Sequence, residues 1–233
     1  MVTVWFIRHA ESESNAGLPT RDPASTRITP TGEEQAQQIA DCLPDAPSLI
    51  VTSPYLRTKQ TAQPTIQRFA SVPQAEWPIQ EFTFLAPRNY YNTTRLQRYP
   101  MVQAYWQHAD PFYVEDEGAE SFADLVGRVE WVRSHILQLS ETATQRDKHP
   151  DSFIVAFSHG RFIRAVAWVL LVRPQTIDRT TMQQFQAFSE SVLVPNGTIL
   201  KVQAQASEVW LSGLQTEHMQ KPQQMISDPQ VKP

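Results

Sequence analysis

Two histidines stand where an apolar run gives way to cations. Val4-Trp5-Phe6-Ile7 leads into Arg8, His9, Ala10 and Glu11, and Phe153-Ile154-Val155-Ala156-Phe157 leads into Ser158, His159, Gly160 and Arg161. An imidazole that is neutral near physiological pH is a nucleophile, and a guanidinium fork matches phosphoryl oxygens in pairs. Such residues brought together suit transfer of a phosphoryl group, with His9 as its acceptor. Each run is short, unbroken and rich in β-branched or aromatic residues, which predicts strands buried on both faces. In open α/β sheets ligands bind beyond the carboxyl ends of the strands. The two strand-end histidines therefore predict one shared site.

Other elements would complete it. Thr29 with Pro30, or Thr31 with Glu34, caps a helix whose stripe of Ala36, Ile39, Ala40 and Leu43 faces a core and stops at Pro44. Ser48 to Thr52 reads as a second strand that launches a helix bearing Arg57 in its first turn, where free N–H groups already favour anions. Pro64 should kink that helix. Cleaving a phosphomonoester leaves an alkoxide that needs a proton from a placed acid. Glu81, in Trp77-Pro78-Ile79-Gln80-Glu81-Phe82, is the first candidate and Glu76 the second.

Arg8-His9-Ala10-Glu11-Ser12-Glu13-Ser14-Asn15 resembles the R-H-G-E-x-x-x-N signature of the histidine phosphatase superfamily, with Ala10 in place of the usual glycine. Thr29, Gly32, Gln35 and Ala36 match its T-x-x-G-x-x-Q-A stretch, and Ser53-Pro54-Tyr55-Leu56-Arg57-Thr58-Lys59-Gln60-Thr61-Ala62 its S-P-x-x-R-x-x-Q-T-A motif. Gly118-Ala119-Glu120-Ser121-Phe122 is similar to G-E-S-F with one residue inserted. The resemblance implies a phosphoglycerate mutase-like α/β fold: a three-layer α/β/α sandwich on a mostly parallel sheet. It implies a phosphohistidine on His9, with Arg8, Arg57 and a cationic His159 neutralising the phosphoryl oxygens. Asn15 and the Gly160 N–H would be further donors, and Glu81, at the end of a short strand, the proton donor to the leaving group. Neither a metal nor a cofactor is implied, and turnover is expected in chelator. Phe82-Thr83-Phe84-Leu85-Ala86-Pro87-Arg88 follows neither the phosphatase G-x-W-E-G nor the mutase N-E-R-x-Y-G pattern, so the substrate stays open. A phosphomonoesterase is the first reading. A phosphoglycerate mutase and a catalytically silent phosphoryl-binding module are the alternatives.

Length and composition set the bounds. The 233 residues, 41% of them hydrophobic, suffice for one compact domain, expected over residues 1–219, with residues 220–233 as a mobile polar tail. A net charge of −4 argues against nucleic-acid binding, so an anion site must be local and its partner a small phosphorylated substrate. Cys42 is the sole cysteine, no signal peptide or membrane span is evident, and a cytoplasmic location is expected; homo-oligomerisation is left open. Residues 83–117 form an aromatic-rich insert, read chiefly as local packing and alternatively as a lid, with Arg88, Arg95 and Arg98 among its aromatics. A long helix follows from Ser121, then the second histidine strand and an apolar helix that Pro174 ends. Asn196-Gly197 is a turn signal, Thr198 to Val202 reads as a strand and Val209 to Leu211 as another, antiparallel at a sheet edge. His108, His135, His149 and His218 read as packing or surface residues. Arg161, directly after Gly160, either points into the pocket or forms a salt bridge elsewhere.

Overall fold

The structure is a computed structural model that describes residues 1–146, 153–206 and 208–219. Its strands are β1 (Val2–Arg8), β2 (Leu49–Thr52), β3 (Gln74–Glu76), β4 (Phe153–Ser158), β5 (Ile199–Gln205) and β6 (Glu208–Gln215). The helices are α1 (Pro30–Cys42), α2 (Leu56–Arg68), α3 (Arg95–His108), α4 (Phe122–Arg146), α5 (Gly160–Val172) and α6 (Arg179–Ser191). One sheet runs β3-β2-β4-β1-β5-β6. Its first four strands are parallel, and β5 and β6 close one edge antiparallel.

Side chains alternate across the strands and so divide the core into two layers. Val4 and Phe6 of β1, Val51 of β2 and Ile154 and Ala156 of β4 pack with α4, α5, α6 and the 83–117 segment. Ile7, Ile50, Phe153, Val155 and Phe157 pack on the other face with Ile39 and Leu43 of α1 and Ala62 of α2. This is the three-layer sandwich that the resemblance implies. β4 is buried along its whole length and shows no alternation, whereas β1, expected to be buried on both faces, alternates buried with partly buried positions from Val2 to Phe6.

Local chemistry sets the ends of the elements. The Thr29 hydroxyl accepts from the Gly32 N–H and caps α1, with Pro30 at its first position. α2 continues through Pro64 to Arg68. α5 ends at Arg173, whose φ of 50° lies in the left-handed region, one residue before Pro174. Two helices were not expected. Both α3 and α6 begin in capping boxes, Thr94 with Gln97 and Asp178 with Thr181. No strand forms at 77–82, contrary to expectation: the Ile79 N–H bonds back to the Trp77 carbonyl (2.7 Å) across Pro78, which has no N–H for a ladder.

The aromatic insert is mostly packing. Phe84, Tyr105 and Trp106 are buried and join Phe82 and Phe185 in the main core, while Tyr91, Tyr99 and Phe112 stay exposed. Buried Arg98 ties the insert to the 16–28 loop by donating to the Thr20 hydroxyl (3.2 Å) and the Thr93 carbonyl (2.6 Å). Among the described residues no helix is long and apolar enough to cross a membrane. The 220–233 tail and His149 lie outside the described residues.

Candidate active site

Strand pairing places the two histidines. β1 and β4 are parallel neighbours, with Arg8 opposite Ser158 at their carboxyl ends. Adjacent strands lie about 4.8 Å apart, so the next residue of each, His9 and His159, must emerge side by side. Their ring centroids are 5.1 Å apart, edge to face. The His9 N–H donates to the Ser158 carbonyl (2.8 Å), which continues the ladder one residue past the strand.

Arg57, in the first turn of α2, joins the rings. Its Nε donates to Nε2 of His9 (3.1 Å), and its Nη2 lies 2.9 Å from Nδ1 of His159. A guanidinium can only donate, so both ring nitrogens are acceptors. Nδ1 of His9 then carries the proton and donates to the Ala10 carbonyl (2.7 Å), leaving the Nε2 lone pair facing Arg57. His159 holds its proton on Nε2, which donates to Ser53 Oγ (2.8 Å), and Ser53 in turn contacts Thr58 Oγ1 (2.9 Å). Burial first, and then Arg57, hold both imidazoles well below the ordinary histidine pKa, with Arg8 adding to the effect on His9. In the free site His159 is held as the neutral ring, because it is wholly buried and its Nδ1 faces a guanidinium, whereas the resemblance implies a cationic His159 against bound phosphoryl oxygens.

Arg8 lies beneath Gly160, where a Cβ would come within 3.1 Å of its Nε. Its Nη1 donates to the Val194 carbonyl, and its buried Nε has no hydrogen-bond partner among the described residues. Burial lowers its pKa to about 10, partly offset by Glu81, so the guanidinium stays charged at neutral pH.

Glu81 reaches the same place from a segment outside the sheet. Its carboxylate accepts from the Arg161 N–H (3.2 Å) and the Phe162 N–H (3.2 Å) at the start of α5, and from the Phe82 N–H (3.1 Å). Helix N-termini leave such donors unpaired, and the Gly160 N–H is another in that turn. Asn15 is near: its Oδ1 accepts from Ser12 N (3.3 Å) and from Asn196 Nδ2 (3.1 Å), the same amide that donates to the His9 carbonyl. His9, His159, Arg8, Arg57, Glu81, Gly160 and Asn15 thus share one end of the sheet. Glu76, the second candidate acid, is instead paired with Lys59 (2.8 Å) at the surface.

Several supporting residues carried no expectation. Asn196 also donates to the His9 carbonyl (2.8 Å), and Thr61 Oγ1 accepts from the Ala10 N–H (3.1 Å). Gln35 accepts from the Glu11 N–H (2.7 Å), and Gly32 lets α1 pass so close that a Cβ there would lie 2.2 Å from the Glu11 carbonyl oxygen. Arg128 of α4 donates to the Pro78 and Gln80 carbonyls (3.0 Å each) and pairs with Glu120 (2.6 Å), so it holds the segment that presents Glu81. Gln35 and Thr61 lie in recognisable motifs; Asn196 read only as a turn residue, and Arg128 gave no signal. Among the described residues no cluster of three or more histidine, cysteine, aspartate or glutamate side chains could hold a metal ion.

The model of the histidine phosphatase superfamily (branch 1) matches residues 4–204. The chain belongs to this superfamily. Among solved structures, this histidine phosphatase is similar to mycobacterial glucosyl-3-phosphoglycerate phosphatase in complex with VO3, with 21% identity, a TM-score of 0.68, and 92% of this chain and 97% of that one covered. It is also similar to phosphoserine phosphatase from Entamoeba histolytica in complex with 3-phosphoglyceric acid, with 17% identity, a TM-score of 0.67, and 94% and 100% coverage. At these identities the likeness is one of fold. No curated protein matches the chain by sequence.

Proposed function

We propose that this histidine phosphatase hydrolyses small phosphomonoesters through a phosphohistidine on His9. The observation that carries the reading is the tautomer of His9: Nδ1–H is tied to the Ala10 carbonyl (2.7 Å), so the lone pair on Nε2 is the one presented beside Arg57 and His159.

In the first step Nε2 of His9 bonds to phosphorus as the ester P–O bond breaks, and Glu81, protonated, gives its proton to the leaving oxygen. In the second, water attacks the phosphohistidine, its proton passes to the Glu81 carboxylate, and the P–N bond breaks. Arg57, Arg8, the Gly160 N–H and Asn15 supply donors for the phosphoryl oxygens, which are stronger acceptors than the imidazoles Arg57 now contacts. Replacing those contacts frees the nucleophile. It also relieves the pressure on His159: its Nδ1, an acceptor toward Arg57 in the free site, takes up a proton from solvent and donates to the phosphoryl group once the dianion supplies the negative charge that offsets burial.

Rapid quenching with a 32P-labelled aryl phosphate tests this. An acid-labile, base-stable label on His9 is expected, and His9→Ala should lose both the label and at least about a thousandfold in kcat. Turnover that survives in His9→Ala would remove the nucleophile assignment.

A further inference from the structure

The site holds more positive charge than a single phosphoryl group needs. Arg8, Arg57 and Arg164 all feel the Glu81 carboxylate, and Arg161 supplies a backbone N–H to it. Arg95, the first residue of α3, is near enough to act on both Arg8 and Arg164. Glu120 is committed to Arg128, and Asp22 acts on Arg57 less than Glu81 does. Even with Asp22 and Glu81 counted against these five guanidinium groups, a net positive charge remains after a phosphomonoester dianion has bound.

The arginines differ in how far they are engaged. Arg57 is held by both imidazoles and the Pro23 carbonyl, Arg8 by the Val194 carbonyl, and Arg164 by the Val192 carbonyl (2.6 Å). Arg161 is two residues beyond His159 and half-buried, yet its guanidinium has neither a hydrogen bond nor an ion pair among the described residues. It lies over the rings of Phe84 (4.9 Å) and Trp106 (5.9 Å). Stacking on aromatic faces fixes the plane of a guanidinium while leaving its edge donors free, which suits bidentate capture of a carboxylate or phosphate.

We propose that Arg161, supported by Arg164 and Arg95, anchors a second oxyanion subsite, and that the substrate is a phosphomonoester bearing a further anionic group, a carboxylate or a second phosphate. This rests on the phosphatase reading of the same site. It explains why the aromatic core of the insert extends to the start of α5: Phe84 and Trp106 form the platform on which the second anion's ligand is held.

The test compares ω-carboxyalkyl phosphates of two to about five carbons, and the matching alkanediol bisphosphates, with simple alkyl phosphates of the same length. The parent should favour one anionic series by about tenfold or more in kcat/KM, the scale of one charge-assisted contact, and which series wins assigns the group. In Arg161→Gln that preference should collapse, with a far smaller change on the simple alkyl phosphates. Should the glutamine variant fail to fold, Arg161→Lys keeps the cation and stem without the fork, and the preference should fall by several-fold. Absence of any preference in the parent, or an equal loss on both kinds of substrate in the variant, overturns the subsite. If the parent hydrolyses no phosphomonoester at all, the phosphatase reading fails, and calorimetry then judges the subsite alone. Tighter binding of ω-carboxyalkyl phosphonates or bisphosphonates than of alkyl phosphonates, lost in the Arg161 variant, supports it; equal binding overturns it.

Discussion

At the scale of the residue, the decisive groups are two imidazoles kept neutral inside a cationic site. Burial and Arg57 act in the same direction on both, so His9, the proposed nucleophile, retains its lone pair at pH values where an exposed histidine would be protonated. The same displacement links stability to pH. Below the unfolded-state pKa of about 6.5 the unfolded chain takes up protons that the folded rings refuse, so stability is fully present above that value and lost as pH falls toward the depressed folded pKa. Each ring can contribute a slope of up to about 1.4 kcal/mol per pH unit in that window. Urea unfolding between about pH 7 and pH 5 should therefore show a shallower fall for His159→Gln than for the parent, because one such ring is gone. Equal slopes would contradict the neutral assignment of His159.

At the scale of the element, the proposed acid, Glu81, is placed by a helix arginine rather than by a strand. The Pro78 turn ends the ladder, and Arg128 of α4 holds the Pro78 and Gln80 carbonyls from behind. The side chains of Arg128 and Glu120 are only 14% and 16% exposed, so removing one partner leaves a largely desolvated charge. Arg128→Met should cost about 3 kcal/mol in urea unfolding, the lower end for a broken buried pair. It should also lower kcat more on alkyl phosphates, which need their leaving oxygen protonated, than on nitrophenyl phosphate, which does not. A uniform loss on both would show that Arg128 acts on the fold and not through Glu81. The helices that escaped sequence reading belong to this scale too. α3 and α6 show capping boxes, but α3 carries Pro100 in its interior and its exposed face includes Leu96 and Tyr99, so its apolar residues do not form one clean stripe.

At the scale of the whole molecule, the insert is part of the main core. Phe84 is buried against Phe82, Tyr105 and Trp106, and Trp106 continues to Phe185 of α6. Arg98 clasps the same insert to the loop after β1, so the walls on two sides of the site are joined. Phe84→Ala should destabilise the entire domain by about 3–5 kcal/mol, the usual cost of emptying a buried phenylalanine site, in a single urea transition. A separate early transition would mark the insert as an independent unit.

By itself the sequence determined the strands that lead into His9 and His159, the existence of α1 with its cap at either Thr29 or Thr31, the arginine of α2, and the residues around which a phosphoryl site could assemble. Those are local matters: apolar runs, caps and motif spacing are properties of neighbouring residues. Tertiary structure decided that β1 and β4 lie next to each other with Arg8 opposite Ser158, and this register turns a separation of about 150 residues into one strand spacing. It also decided the protonation of His159, the grip of Arg128 and Asn196, and the stacking of Arg161 on the insert. Burial and electrostatic environment arise from all the elements packed around a group, and no stretch of chain carries that sum alone.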